Sequence, residues 1–142
     1  GGKEIMTGEF AVAVHAMVYL YHKASCLSSE ELAKNVCTNP ARIRKVMAKL
    51  KKAGLVETRE GAEGGCRIAK DGQTTLGEIL KALGENAVTL NWRSGHKDAE
   101  CLISAGMGGV MEGICAQLDQ VCEEYLSTVT IESLEQYLIG KK

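Results

Sequence analysis

Two helix starts eleven residues apart constrain this chain more than any other feature of its 142 residues. Ser28 is followed three positions later by Glu31, the spacing at which each side chain satisfies a free backbone N–H of the other's residue. Asn39 then precedes Pro40, an N-cap followed by a residue whose fixed φ and missing N–H suit the first helical position. The first helix therefore ends near Asn35 or Val36, and the second runs from about Pro40 to Ala53, with Gly54 as its left-handed closing residue. Two short helices across so brief a turn have the outline of a helix-turn-helix.

The second helix has two faces. Ile43, Val46, Met47 and Leu50 follow the i, i+3, i+4, i+7 rule of a buried stripe. Lys45, Lys49 and Lys52 lie opposite, with Arg42 and Arg44 on the flanks. On an isolated helix such a face is ordinarily just solvated. Here it is followed by Leu55–Arg59 and Cys66–Ala69, short alternating segments joined by Gly61-Ala62-Glu63-Gly64-Gly65, which predict a β-hairpin or wing. The fold class expected is therefore mainly α: a winged helix-turn-helix with a two-stranded wing.

The remaining elements read as helices. Residues 8–24 are too long and too apolar for an ordinary strand and predict a well-buried first helix. Thr75 with Glu78 has capping-box spacing and opens a helix through Leu76, Ile79, Leu80 and Leu83 to Gly84. Residues 85–103 have no clear period and read as a surface segment, with room for a short strand at Ala87–Leu90. From about Ser104 to Ser127 a long helix carries Met107, Met111, Ile114, Leu118, Val121 and Tyr125 at alternating intervals of four and three, a heptad seam. Its ordinary reading is a core helix; its place at the end of a small fold favours a dimerisation helix. A last short helix follows Thr130. The expected division is residues 3–84 for the winged helix, 85–103 for a surface or sensor segment, and 104–140 for the dimerisation helices.

Charge separates along the same lines. The net charge is −1, yet residues 28–70 hold ten Lys/Arg against five Glu, and residues 71–142 hold five against eleven Asp/Glu. Such asymmetry suggests a polyanion-binding portion joined to a portion with another task. Composition agrees with a helical core: aromatic residues are 4% and there is one proline. The apolar run Phe10–Tyr21 is too short to cross a bilayer and is interrupted by His15, so no membrane role is expected. Six cysteines without a C-x-x-C pair or a recognisable leader predict a cytoplasmic protein with reduced thiols.

Taken in order, the capping-box helix, the basic helix ending Lys51-Lys52-Ala53-Gly54-Leu55-Val56, the Gly64-Gly65 wing and Thr75-Leu76-Gly77-Glu78-Ile79 resemble the Rrf family of bacterial winged-helix transcription regulators. That family includes the iron–sulfur cluster regulator, the nitric-oxide-sensing repressor and the cysteine-metabolism repressor. The resemblance spans roughly residues 5–138 and implies a homodimer, held by the long C-terminal helix, on a palindromic operator in double-stranded DNA. The chain also departs from the family. Glu60 stands before Gly61 where an arginine is common, with Arg59 one residue earlier and so turned to the other strand face. Cys66 replaces the usual wing tyrosine, and Glu9 replaces a basic residue before the aromatic Phe10. Cys101, Cys115 and Cys122 have thirteen and six residues between them, where cluster-binding members have five and seven, and only Cys101 matches a ligand position.

DNA binding needs donors near the start of the inserted helix to read base edges and cations to displace counterions. Thr38, Asn39, Arg42 and Lys45 suit the first role; Lys49, Arg59 and Arg67 suit phosphates. Arg44 and Lys51 read as surface charges. No metal-ligand spacing, phosphate loop or nucleophile–base constellation is visible, so neither an enzyme nor a bound cofactor is expected, and the cysteine spacing disfavours an iron–sulfur cluster. Cys101, in a polar segment, is the first candidate sensor, and Cys66 the second. Two readings from other classes compete: a winged helix that only meets an acidic protein partner, and a thiol redox protein without DNA. Steeply salt-dependent duplex binding separates both from a transcription regulator.

Overall fold

The computed structural model describes residues 8–62, 64–88 and 93–140. The elements are α1 (Gly8–Lys23), α2 (Ser29–Val36), α3 (Pro40–Lys52), β1 (Val56–Arg59), β2 (Gly65–Ile68), α4 (Leu76–Ala82), α5 (Leu102–Leu126) and α6 (Ile131–Ile139). This is the winged helix-turn-helix expected from the caps and the wing. Helix α1 runs through its middle, with Ala13, Ala16 and Met17 fully buried, and packs against α2, α3, α4, α6 and β2. Leu32, Ile43, Val46, Leu50, Ile79 and Ile131 close the core around it.

The local signals that carried most chemistry are realised as hydrogen bonds. Ser28 Oγ accepts from the Glu31 N–H at 3.1 Å, and the Ser28 N–H donates to the Glu31 carboxylate, also at 3.1 Å. Asn39 Oδ1 accepts from the Arg42 N–H at 2.8 Å. Between these caps Cys37 adopts a left-handed conformation, φ 65°, and turns the chain from α2 into α3. Gly54, at φ +80°, closes α3 as expected.

Three local expectations are corrected. Thr75 Oγ1 accepts from the Glu78 N–H, but the reciprocal half of the capping box is not formed. The Thr75 backbone instead lies in a bridge with Thr130, and the Leu76 N–H donates to the Val129 carbonyl, which fastens α6 to the start of α4. Helix α5 begins at Leu102 rather than near Ser104. Leu102 and Ile103, both exposed, fall outside the alternating four-and-three spacing that begins at Met107. Ala87 and Val88 form a bend rather than a strand, while residues 89 and 90 lie outside the described residues. Ala87 is fully buried, and the Ala87 and Val88 N–H groups both donate to Asp119 of α5, at 2.6 and 3.1 Å.

The wing is anchored to the helix-turn-helix through its backbone. β1 and β2 pair antiparallel with Val56 opposite Ile68, Glu57 opposite Arg67, Thr58 opposite Cys66 and Arg59 opposite Gly65. Leu27, in the loop before α2, exchanges two further hydrogen bonds with Cys66, at 2.8 and 2.9 Å. Gly65 permits this contact: its φ is +150°, and a Cβ there would collide with the Leu27 carbonyl. We expect Gly65→Ala to cost about 2 kcal/mol or more, the scale of a strained backbone position. Urea denaturation followed by circular dichroism checks this, and unchanged stability would show that the wing is not held at Leu27.

A candidate nucleic-acid interface

Helix α3 directs one row of side chains into the core and the opposite row outward. Ile43, Val46 and Leu50 are fully buried and Met47 nearly so, as their spacing requires. Arg42, Arg44 and Lys45 are exposed, and Lys49 is half-buried. In the wing, Arg59 is exposed at the hairpin end of β1, opposite Gly65, and Arg67 is exposed nearer the core end of β2, opposite Glu57.

The cations on this surface differ in what they already hold. Arg67 is drawn across the wing to Glu57, with guanidinium nitrogens 2.9 Å from the carboxylate. Arg44 lies 3.7 Å from Glu30 of α2, both well exposed, which fits the surface-charge reading. Lys49 and Lys45 are both drawn to Glu9 at the start of α1, at 3.1 and 3.6 Å. Arg42 crosses the end of α1, where a Cβ on Gly8 would meet its guanidinium. Among the described residues, Arg42 and Arg59 form no ion pair. Of the polar candidates, Asn39 commits its Oδ1 to the α3 cap, and Thr38 is half-buried in the turn.

Glu9 is the residue whose part the sequence reading missed. Its side chain is 16% exposed, and one oxygen, Oε1, is buried without a hydrogen-bond donor. The Lys49 hydrogen bond holds its carboxyl below the ordinary value of 4.5, with the charges of Lys49 and Lys45 acting in the same direction against burial. The sequence marked only a missing basic residue at this position; pairing with α3 needed the three-dimensional crossing of α1 over the basic face.

The cysteines separate into distinct environments. Cys101 takes the N-cap position of α5 and is exposed. Its thiol closes no full cap hydrogen bond, yet the backbone N–H groups of Ser104 and then Ile103 hold its pKa below the ordinary 9.0. Desolvation acts against them and is the smaller cause. Cys66 is buried in the wing, and burial pushes its thiol up, with Cys26 adding to the shift. Cys115 and Cys122 are half-buried on α5, and Cys37 is exposed in the turn.

These positions do not fit an iron–sulfur cluster within one chain. Cys101, Cys115 and Cys122 succeed one another along a single helix, separated by rises of about 21 and 10 Å at ~1.5 Å per residue. Among the described residues no three His, Cys, Asp or Glu side chains gather as a metal site. No helix among them is long and apolar enough to cross a membrane.

The fold recurs in solved structures. IscR of T. potens shares 20% identity at a TM-score of 0.70, covering 97% of this chain and 89% of that one. CymR (YrzC), the global cysteine regulator of B. subtilis, shares 19% at 0.68, covering 93% and 96%. A protein of Lactobacillus plantarum shares 25% at 0.79, covering 96% and 93%. No curated protein matches the chain in sequence. The family model Rrf2, described as an iron-dependent transcriptional regulator, matches residues 6–136. With the winged helix and this match over nearly the whole chain, the protein belongs to the Rrf2 family of DNA-binding transcriptional regulators.

Proposed function

We propose that the protein acts as a homodimeric repressor in the cytoplasm, bound to a pseudo-palindromic duplex, with α3 of each copy in a major groove and the wing beside it. The observation that carries the dimer is α5. Over its 25 residues only Gly108 and Leu126 are buried. Met107, Ile114, Leu118, Val121 and Tyr125 of the seam stand 38–66% exposed, with Val110 beside them at 55%. An apolar stripe of this length on one helix is what an interface between copies would cover, and a two-fold axis would make the same stripe serve both partners. In this reading residues 3–84 bind DNA, 85–103 form the sensing segment and 104–140 the dimer contact.

On the DNA side, Thr38, Asn39, Arg42 and Lys45 face base edges, and Lys49, Arg59 and Arg67 face phosphates. A bidentate or charged base contact discriminates between sequences, whereas a phosphate contact does not. A signal would be read chemically at Cys101, since its position at a helix N-terminus favours the thiolate that oxidants and electrophiles attack. Cys66 is the poorer candidate, being buried and held as a thiol.

Selection of duplexes from a random pool, with and without reductant, tests the whole reading. It should return two half-sites whose centres are about one helical turn, ~34–36 Å, or a multiple of it apart. Sedimentation should find a dimer at micromolar concentration that Leu118→Glu converts to monomer; a monomeric parent overturns the dimer. Lys45→Ala should weaken the selected duplex more than a random one, by about 1–3 kcal/mol. Lys49→Ala should weaken both and reduce the salt slope by about 1. Alkylation should find Cys101 reacting ahead of Cys66, with its rate rising through a midpoint below that of an ordinary thiol. Above that midpoint the thiolate dominates, so a profile centred at or above pH 9.0 would contradict the environment described. If Cys101→Ser still releases DNA on oxidation as the parent does, Cys101 is not the sensor.

A further inference from the structure

We propose that Glu9 is an internal substitute for a DNA phosphate, a specificity-determining residue that occupies Lys45 and Lys49 in the free protein and thereby suppresses binding to non-cognate duplex. The inference rests on the DNA-binding reading and adds a residue that is not itself a DNA contact. Its basis is geometric. Glu9 projects from the first turn of α1 against the outward face of α3, with Oε2 3.1 Å from Lys49 Nζ and Oε1 3.6 Å from Lys45 Nζ. Those two lysines stand one helical turn apart on the face that would meet DNA, and a carboxylate between them occupies the place an anionic oxygen of the backbone would take.

The two contacts differ in strength. Lys49 is 36% exposed and hydrogen-bonded to Glu9, whereas Lys45 is 68% exposed and leaves Oε1 without a donor. Lys45 is therefore the cation more readily withdrawn, and the Lys49 hydrogen bond is the later one to be given up to a phosphate. Removing both lysines from a charge so little exposed would be costly.

Non-specific binding comes almost wholly from cations that release counterions when they meet phosphates. A lysine already neutralised by an internal carboxylate has fewer counterions to release, and reaching a phosphate means giving up the existing pair. A random duplex offers only the phosphate in exchange. A cognate duplex offers base contacts as well, and these can drive the exchange. Glu9 thus weakens random-sequence binding more than operator binding and widens the ratio between them.

The test is Glu9→Gln, nearly the same shape without the charge, titrated against a random-sequence duplex and against the duplex selected with the parent, at several salt concentrations. Freeing one cation should steepen the random-duplex salt slope by about 0.9 and raise affinity at ~0.1 M salt about five- to tenfold. Affinity for the selected duplex should rise less, so the specificity ratio falls. Glu9→Asp, which keeps the charge, should stay close to the parent. Glu9→Ala, which leaves no amide to accommodate at the buried position, should repeat the Gln result if the Gln variant folds poorly. The proposal is overturned if Gln and Ala leave random-duplex affinity and slope unchanged, or if they raise both duplexes by the same factor. A parent that binds no duplex in a salt-dependent manner would instead reject the DNA-binding reading itself, so the two failures are distinguishable.

Discussion

The structure depends on how closely its elements can approach α1. Ala13 and Ala16 are fully buried there, and side chains this small let neighbouring backbones come near without leaving voids. Met17 and Leu20 fill the space below them, and Phe10 and Val12 the space above. The consequence is an α3 pressed inward by Ile43, Val46 and Leu50, so that its basic row must face out. The exposed basic row follows from core packing, and so does the meeting of Glu9 with Lys45 and Lys49, because a helix fixed this tightly brings its first turn over the same face.

What the sequence made legible was the chemistry that acts within four residues. The Ser28–Glu31 box, the Asn39 cap ahead of Pro40 and the left-handed Gly54 each need only local partners, and each is formed. Thr75 shows where local reasoning stops: its hydroxyl caps the Glu78 N–H without a reciprocal bond, and its neighbours Leu76 and Thr74 are paired with Val129 and Ile131, far along the chain. Ala87 illustrates the same limit, since nothing in a polar, aperiodic stretch announces that Asp119 will collect its amide and that of Val88. Of the candidate interface, the identity of the basic residues was readable; their partners, which lie 10 to 40 residues away in sequence, were not.

Those partners change the meaning of the charge asymmetry. Counted along the sequence, residues 28–70 hold twice as many cations as anions. In space, Glu57, Glu30 and Glu9 are set against Arg67, Arg44 and the Lys45–Lys49 pair. The exposed pairs are weak and screened, so a polyanion can displace them at little cost. The Glu9 pair is more sheltered, and burial makes it harder to exchange. A basic surface is therefore graded: Arg42 and Arg59 need give up no described ion-pair partner, Arg44 and Arg67 exchange readily, and Lys45 and Lys49 require a stronger competitor. Net charge expresses none of this grading.

Helix α5 sets a different constraint on how a signal could act. Its C-terminal end is tied to the core by buried Leu126 and by the Ser127 backbone beneath Gly77 of α4, whereas Cys101 lies at the other end, about 37 Å away along the axis at ~1.5 Å per residue. The segment before it is held locally, by the His96 N–H on the Ser104 carbonyl and by Arg93 on Glu112. A chemical change at Cys101 thus meets α5 and its own flanking loop first, far from α3 of the same chain. The exposed seam begins within two turns of Cys101, at Met107. In the proposed dimer, redistribution of contacts along that seam would be a shorter route than transmission down a rigid helix, because a small rotation between paired helices would be magnified at their far ends. Sensing of this kind would need no bound metal in the single chain, only a thiol whose modification alters how two copies of α5 lie against each other.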